Sequence, residues 1–111
     1  MIILKSNGID TSINNYDTLE QLIYDEGIRI REIDVHPDID LLLIILNTGS
    51  VLQEKLSSYP QLEKADINSL KKYRLIGKGT GIHWEDLDED LSLKGFLRDS
   101  VRKQVLGDKI A

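Results

Sequence analysis

The longest apolar run of the chain, Leu41–Leu46, has no polar side chain on either face. A short run of this kind is typical of a central strand that is covered on both sides. The turn residues Asn47, Thr48 and Gly49 follow it, and residues 50–56 can return as an antiparallel neighbour. The pattern therefore predicts a hairpin. It also leaves a homodimer open, because an uncovered apolar strand would seek a second chain.

Two elements are predicted before this hairpin. Asp17 and Glu20 have the spacing of a capping box, and apolar residues then recur on one helical face, which predicts a helix over residues 18–26. Residues 28–35 alternate between apolar and polar positions, but the parity changes partway. We therefore expect a strand with a bulge or a bend near Arg31 and Glu32.

Short elements are predicted after the hairpin. Pro60 favours a first helical turn, and Asp66 is suited to cap a second short helix. Residues 73–76 and 81–84 have the character of two strands around the glycine-rich segment 77–81, so a second hairpin is predicted there.

A last helix is predicted to begin at Leu91 with Asp90 as its cap and to end at Gly107. Its apolar residues fall along one side, namely Leu93, Phe96, Leu97, Val101 and Val105. Together, the patterns predict an α+β fold with a small antiparallel sheet, short helices on one side and a C-terminal helix.

The composition indicates a single globular domain and excludes some classes of protein. The chain has 111 residues, which suits one domain, and its 41% hydrophobic content is enough for a core. It has no cysteine, so disulfides and thiolate chemistry are excluded. The longest apolar run has six residues, against roughly twenty for a membrane-spanning helix, so we expect no membrane span and a cytoplasmic location.

The charge balance of the chain indicates which kinds of partner it is suited to bind. Nineteen acidic residues against fourteen basic ones give a formal charge of −5. Such a chain repels nucleic-acid phosphates and favours basic or neutral partners. The basic cluster of Lys71, Lys72, Arg74 and Lys78 is therefore expected to be a solvated face, and nucleic-acid binding by this protein alone is not expected.

Several segments in order carry a resemblance to a known family. They are Asn47-Thr48-Gly49, Leu56-Ser57-Ser58-Tyr59-Pro60-Gln61-Leu62 with Ala65, Leu75-Ile76-Gly77-Lys78-Gly79-Thr80-Gly81-Ile82-His83-Trp84, and Leu87-Asp88-Glu89-Asp90-Leu91-Ser92. The chain resembles the bacterial domain-of-unknown-function family 2442, with its Gly-Ile-His-Trp and Asp-Glu-Asp-Leu-Ser signature. It departs from that pattern at Lys55, Gln61 and Glu85.

The resemblance defines expected boundaries. The resemblance covers residues 28–97, which are the expected core domain. Residues 1–27 are expected to form an N-terminal extension, with a short strand and a polar loop within residues 1–16 and a short helix after them, and residues 98–111 to form the C-terminal helix and tail. It implies an α+β fold and no established catalytic residues. It also implies a partner, because many members are encoded beside a small protein in a toxin–antitoxin-like arrangement, while others carry a DNA-binding helix-turn-helix.

The acidic segment 83–90 is the main candidate for function. His83, Glu85 and Asp88 offer ligands for a hard divalent cation, but acids before a helix more commonly serve its N-terminal dipole. We therefore expect no cofactor and no metal. His83 is expected to be a structural residue, since no nucleophile falls at a spacing that would make it a general base.

The leading hypothesis is a non-catalytic protein-interaction module, antitoxin-like in a two-gene system, that binds a basic toxin-like partner. The candidate contact residues are Trp84, Glu85, Asp86, Asp88 and Glu89, although a lone tryptophan is more often a core anchor than an interface residue. The alternatives are a metal-dependent enzyme that uses segment 83–90 and a DNA-binding transcriptional regulator.

Overall fold

The computed structural model describes residues 16–107, in which two small antiparallel sheets and four α-helices share one core. The strands are β1 (Ile30–His36), β2 (Leu41–Leu46), β3 (Val51–Glu54), β4 (Tyr73–Ile76), β5 (Gly81–Trp84) and β6 (Glu89–Ser92). The helices are α1 (Thr18–Tyr24), α2 (Pro60–Glu63), α3 (Ile67–Lys71) and α4 (Leu93–Leu106). The α+β prediction is confirmed. Residues 1–15, where a short strand is predicted, and residues 108–111 of the tail lie outside the described part.

Sheet 1 contains β1, β2 and β3 in that order, so the predicted central position of Leu41–Leu46 is confirmed. The predicted bulge is also confirmed, because the register of β1 against β2 shifts between Ile30 and Glu32. Among residues 16–107, the predicted cover of β2 on both sides is complete on one side and partial on the other. Leu42, Ile44 and Leu46 are buried, whereas the opposite face of the strand is only half-buried.

Sheet 2 contains β4, β5 and β6 in that order, and its first two strands form the predicted second hairpin. It meets sheet 1 at β1, where the backbone N–H of Ile33 donates to the Tyr73 hydroxyl at 3.3 Å. Gly79 lies so close to β1 that an added Cβ would be 2.9 Å from the carbonyl oxygen of Ile30. The loop between β4 and β5 therefore fixes the contact between the two sheets.

The N-terminal helix forms as predicted, although it ends at Tyr24. Asp17 and Glu20 make the reciprocal bonds of a capping box, with the backbone N–H of Glu20 2.8 Å from Asp17 Oδ1. Lys94 Nζ lies 2.8 Å from Asp17 Oδ2 and 3.2 Å from Glu20 Oε2. These ion pairs hold the start of α1 against α4.

The predicted start of the last helix is wrong. Asp90 and Leu91 lie in β6, opposite His83 and Ile82 of β5, and Ser92 is the residue that caps α4. Cross-strand pairing with β5 satisfies the backbone of these residues, and this tertiary contact overrides their local helical pattern. The acids of segment 85–90 therefore do not cap α4, and the expected boundary at residue 97 falls inside this continuous helix.

One core joins the two sheets and the helices. Its fully buried side chains of largest volume are Trp84, Phe96, Leu42, Ile44, Leu62, Leu70, Ile82 and Leu93. Only the first half of the predicted apolar side of α4 enters this core, because Val101 and Val105 are exposed. The second half of α4 thus carries an apolar surface that no described residue covers.

Candidate interaction site

Trp84 is a core residue. Its side chain is fully buried, and its indole Nε1–H donates to the backbone carbonyl of Leu70 at 2.9 Å. This bond satisfies the one polar group that burial of a tryptophan leaves to be paired. Trp84 therefore presents no surface to a partner in this fold, unlike the acidic residues that follow it.

A row of charged side chains crosses sheet 2, because Arg74, His83 and Asp90 are opposite one another on β4, β5 and β6. His83 Nδ1 lies 2.5 Å from Asp90 Oδ1, and His83 Nε2 lies 3.6 Å from Glu85 Oε1. The two carboxylates thus face opposite nitrogens of one ring. This geometry orients the imidazole but does not converge on a common point where an ion could sit.

The acidic turn, defined here as Glu85, Asp86, Asp88 and Glu89, connects β5 to β6. Glu85 and Asp86 form ion pairs with Arg74 at 3.8 Å and with Lys72 at 3.4 Å. Asp88 is exposed and has a left-handed backbone, and Glu89 is half-buried opposite Trp84. Part of the negative charge of the turn is therefore neutralised within the chain.

The weak metal candidates His83, Glu85 and Asp88 are not brought together as a ligand set. Among residues 16–107, no group of three or more histidine, aspartate or glutamate side chains is arranged to hold a metal ion. The basic cluster also does not present a single free surface, because two of its members, Lys72 and Arg74, form ion pairs with the acidic turn. In this segment, the side chains therefore do not converge on a point where a metal ion or a phosphate could bind.

A buried carboxyl group was missed by the sequence reasoning. Glu54 is 5% exposed, and its Oε1 accepts from the Tyr59 hydroxyl at 2.9 Å. Burial is the main cause that raises the pKa of Glu54, with Asp99 adding to it and Lys103 opposing it. A cavity of about 300 Å³ lies beside this cluster. The alternation of side chains along β3 could have revealed this carboxyl group, because Glu54 is two residues after Leu52 and therefore lies on the same, inward side of the sheet.

The outer face of sheet 1 was expected to be covered, and among the described residues it is an apolar strand surface that remains partly exposed. It consists of Leu41, Leu43 and Ile45 on β2, Val51 and Gln53 on β3, and Glu32, Asp34 and His36 on β1. The β2 residues are half-buried, and Val51 is 48% exposed. Glu32, Asp34 and His36 of β1 lie on this face, and polar residues at alternating strand positions indicate a face in contact with solvent.

The apolar row of this face is bordered by acids on one side. Glu32 is opposite Ile45 and Asp34 is opposite Leu43, so both carboxylates lie on the same face as the apolar residues. Both acids are exposed. An apolar centre with a charged border is the usual composition of a protein-binding surface.

Within residues 16–107, no helix is both long enough and apolar enough to cross a membrane.

No curated protein matches the chain. Two solved structures are similar to it. A protein of unknown function from Rhodospirillum rubrum ATCC 11170 is 27% identical with a TM-score of 0.58, and the match covers 66% of this chain and 88% of that one.

The second structure is the solution NMR structure of the uncharacterized protein CV0863 from Chromobacterium violaceum. It is 18% identical with a TM-score of 0.62, and the match covers 99% of this chain and 100% of that one, which shows a shared fold. The model of a family described as a protein of unknown function (DUF2442) matches residues 32–102, well over half of the chain. The chain therefore belongs to the DUF2442 family.

Proposed function

We propose that this protein is a non-catalytic protein-interaction module. The observation that carries the proposal is the outer face of sheet 1, where Leu41, Leu43, Ile45 and Val51 remain partly in solvent. Exposed apolar surface of this kind costs free energy in water, and burial by a partner returns about 25 cal/mol for each Å² covered. A contiguous apolar row on a sheet is therefore a natural contact surface.

The chemistry of the border favours a basic partner. Glu32 and Asp34 flank the apolar row, and the whole chain carries a formal charge of −5. Opposite charges steer partners together and set their orientation. This agrees with the proposal of an antitoxin-like role beside a basic, toxin-like protein encoded by a neighbouring gene.

The acidic turn is a second surface for such a partner. The Glu85 side chain is 72% exposed, and its pair with Arg74 is long at 3.8 Å. Exposed ion pairs contribute about 0–1 kcal/mol, so a partner cation could replace Arg74 at little cost. The turn lacks an apolar centre, and we therefore rank it below the outer face of sheet 1.

The enzymatic and DNA-binding alternatives have less support. His83 is held between two carboxylates that face opposite ring nitrogens, and Lys72 and Arg74 are engaged with the acidic turn. Neither arrangement offers a convergent site to a metal ion, a substrate or a phosphate backbone. We therefore propose no reaction for this chain.

The proposal predicts a partner that is captured from a lysate of the native host at physiological salt and lost when the face is altered. Val51→Lys places a charge on the outer face at an exposed edge position, so the fold should be retained. Ile67→Lys is the matched control, because Ile67 is 39% exposed on α3, outside this face. Bound proteins are identified and quantified by mass spectrometry.

Each outcome has a definite meaning. One stoichiometric protein that is lost with Val51→Lys and kept with Ile67→Lys supports the proposal. If that protein is instead lost only with the double charge reversal Glu85→Lys and Asp88→Lys, the acidic turn is the binding surface and the face is not. Eluates that contain no stoichiometric protein for the unaltered chain would count against an interaction module.

A further inference from the structure

The second half of α4 exposes an apolar stripe with a basic flank. Val101, Val105 and Leu106 are 52%, 76% and 47% exposed, which is unusual for three apolar residues on one short stretch of helix. Arg98 and Arg102 are exposed and four residues apart, so they form a row next to the row of Val101 and Val105. The stripe is therefore apolar with arginines along one border.

This stripe complements the outer face of sheet 1. The face has an apolar row bordered by Glu32 and Asp34, and the stripe has an apolar row bordered by Arg98 and Arg102. We propose that the two surfaces bind each other between two copies of the chain, with α4 of one copy on the outer face of sheet 1 of the other. This inference rests on the proposed function, since it names a partner for the same face.

The contact cannot form within one chain. Phe96 and Leu93 anchor α4 in the core, and Lys103 Nζ donates to the carbonyl of Gln53 at 2.5 Å, which holds α4 at the β3 edge. Glu54 and Tyr59 are joined on the inner side of β3, where Asp99 of α4 also acts on Glu54. Through Ser100 and Lys103, α4 borders a groove at the β3 edge that also contains Leu41 and Val51. Val101 and Val105 lie on the other side of the helix, so they do not reach the outer face of their own chain.

The edge of β3 is a poorer contact surface than the face. An edge strand can pair with a strand of another chain through its free backbone groups. The carbonyl of Gln53 is already occupied by Lys103, so strand addition would have to break that bond. Packing of a helix onto the outer face leaves the bond intact.

Two such contacts can close into a symmetric dimer. In a twofold arrangement each copy gives its stripe and receives the other on its face, so every contact occurs twice. A one-sided arrangement would instead leave one stripe and one face free and would propagate into longer assemblies. We therefore expect a closed dimer. In each of its two contacts, the arginines that border the stripe of one copy lie beside the carboxylates that border the face of the other.

Sedimentation equilibrium of the full chain tests the inference. The unaltered chain should approach twice the chain mass as its concentration rises to about 100 µM, and Val105→Asp should weaken dimerisation by about tenfold or more. Val105 is 76% exposed, so this substitution should leave the fold and its circular dichroism unchanged. Ile67→Lys is the matched control and should dimerise like the unaltered chain.

Charge exchange is the sharper variant of this test. Arg102→Glu and Asp34→Arg should each weaken the dimer by about tenfold, and the chain with both substitutions should recover to within about threefold, because opposite charges again face each other. Recovery is not expected if either residue acts only on its own fold.

The outcomes separate this inference from the proposed function. A chain that stays monomeric, that forms open polymers, or whose dimer is indifferent to Val105→Asp overturns the inference. In these cases the proposed function still stands if a host protein is captured and then lost with Val51→Lys. If both the dimer and the captured protein are absent, both proposals fail.

Discussion

Replacement of Trp84 with alanine is expected to lower the free energy of unfolding by about 3–5 kcal/mol, the usual cost of deleting a buried aromatic side chain. Trp84 is fully buried among residues of both the sheets and the helices, and its removal leaves a cavity as well as an unpaired carbonyl at Leu70. A domain of this size has a total stability of about 5–15 kcal/mol, so the variant should be close to unfolding.

Urea denaturation followed by far-ultraviolet circular dichroism measures this effect, since the variant has lost its only tryptophan. Trp84→Phe separates packing from hydrogen bonding, because it keeps an aromatic ring but leaves the Leu70 carbonyl unpaired, at a cost of about 1–3 kcal/mol. Val105→Ala on the exposed stripe should change stability by less than about 0.5 kcal/mol. A Trp84→Ala variant as stable as Val105→Ala would mean that Trp84 is at a surface.

Gly79→Ala is expected to destabilise the protein by about 2–4 kcal/mol, from backbone strain together with a steric clash. Its φ of +93° disfavours any side chain, and the added Cβ would meet the Ile30 carbonyl at 2.9 Å and Arg29 Cβ at 3.2 Å. These atoms lie at the first residue of β1 and at the residue just before it. The substitution should therefore separate the glycine-rich loop from sheet 1.

Gly49→Ala is the matched control for this prediction. Gly49 has a φ of +94°, almost the same as Gly79, but no heavy atom lies within 4 Å of its added Cβ. It should show the backbone strain alone, about 1–2 kcal/mol. Equal losses in the two variants, measured by urea denaturation, would mean that the loop between β4 and β5 does not press against β1.

Local signals in the sequence predicted much of the fold. The capping box at Asp17, the bulge in β1 and the cap at Asp66 were all identified, because each depends on residues close together in the chain. The start of α4 was not, because Leu91 fits a helical pattern as well as a strand. Its pairing with Ile82 of β5 decided the outcome, and local sequence does not encode that contact.

The candidate site was less predictable than the fold. The sequence reasoning favoured the acidic residues, since a run of charges is easily seen, but it did not show that Lys72 and Arg74 lie across the sheet from them. It also treated Leu41–Leu46 as covered on both sides. Exposure depends on which elements pack on a face, and α4 meets sheet 1 at the β3 edge, which leaves Leu41, Leu43 and Ile45 half-buried.

We propose the outer face of sheet 1 as the binding surface of this protein. Methyl NMR of a chain labelled at isoleucine, leucine and valine tests it, while an unlabelled second copy or a captured partner is added. We expect the methyl signals of Leu43, Ile45 and Val51 to shift, and those of Leu42 and Ile44, on the buried side of the same sheet, to stay in place. Shifts at Leu87, which lies between Asp86 and Asp88 of the acidic turn, with an unchanged outer face, would contradict this proposal.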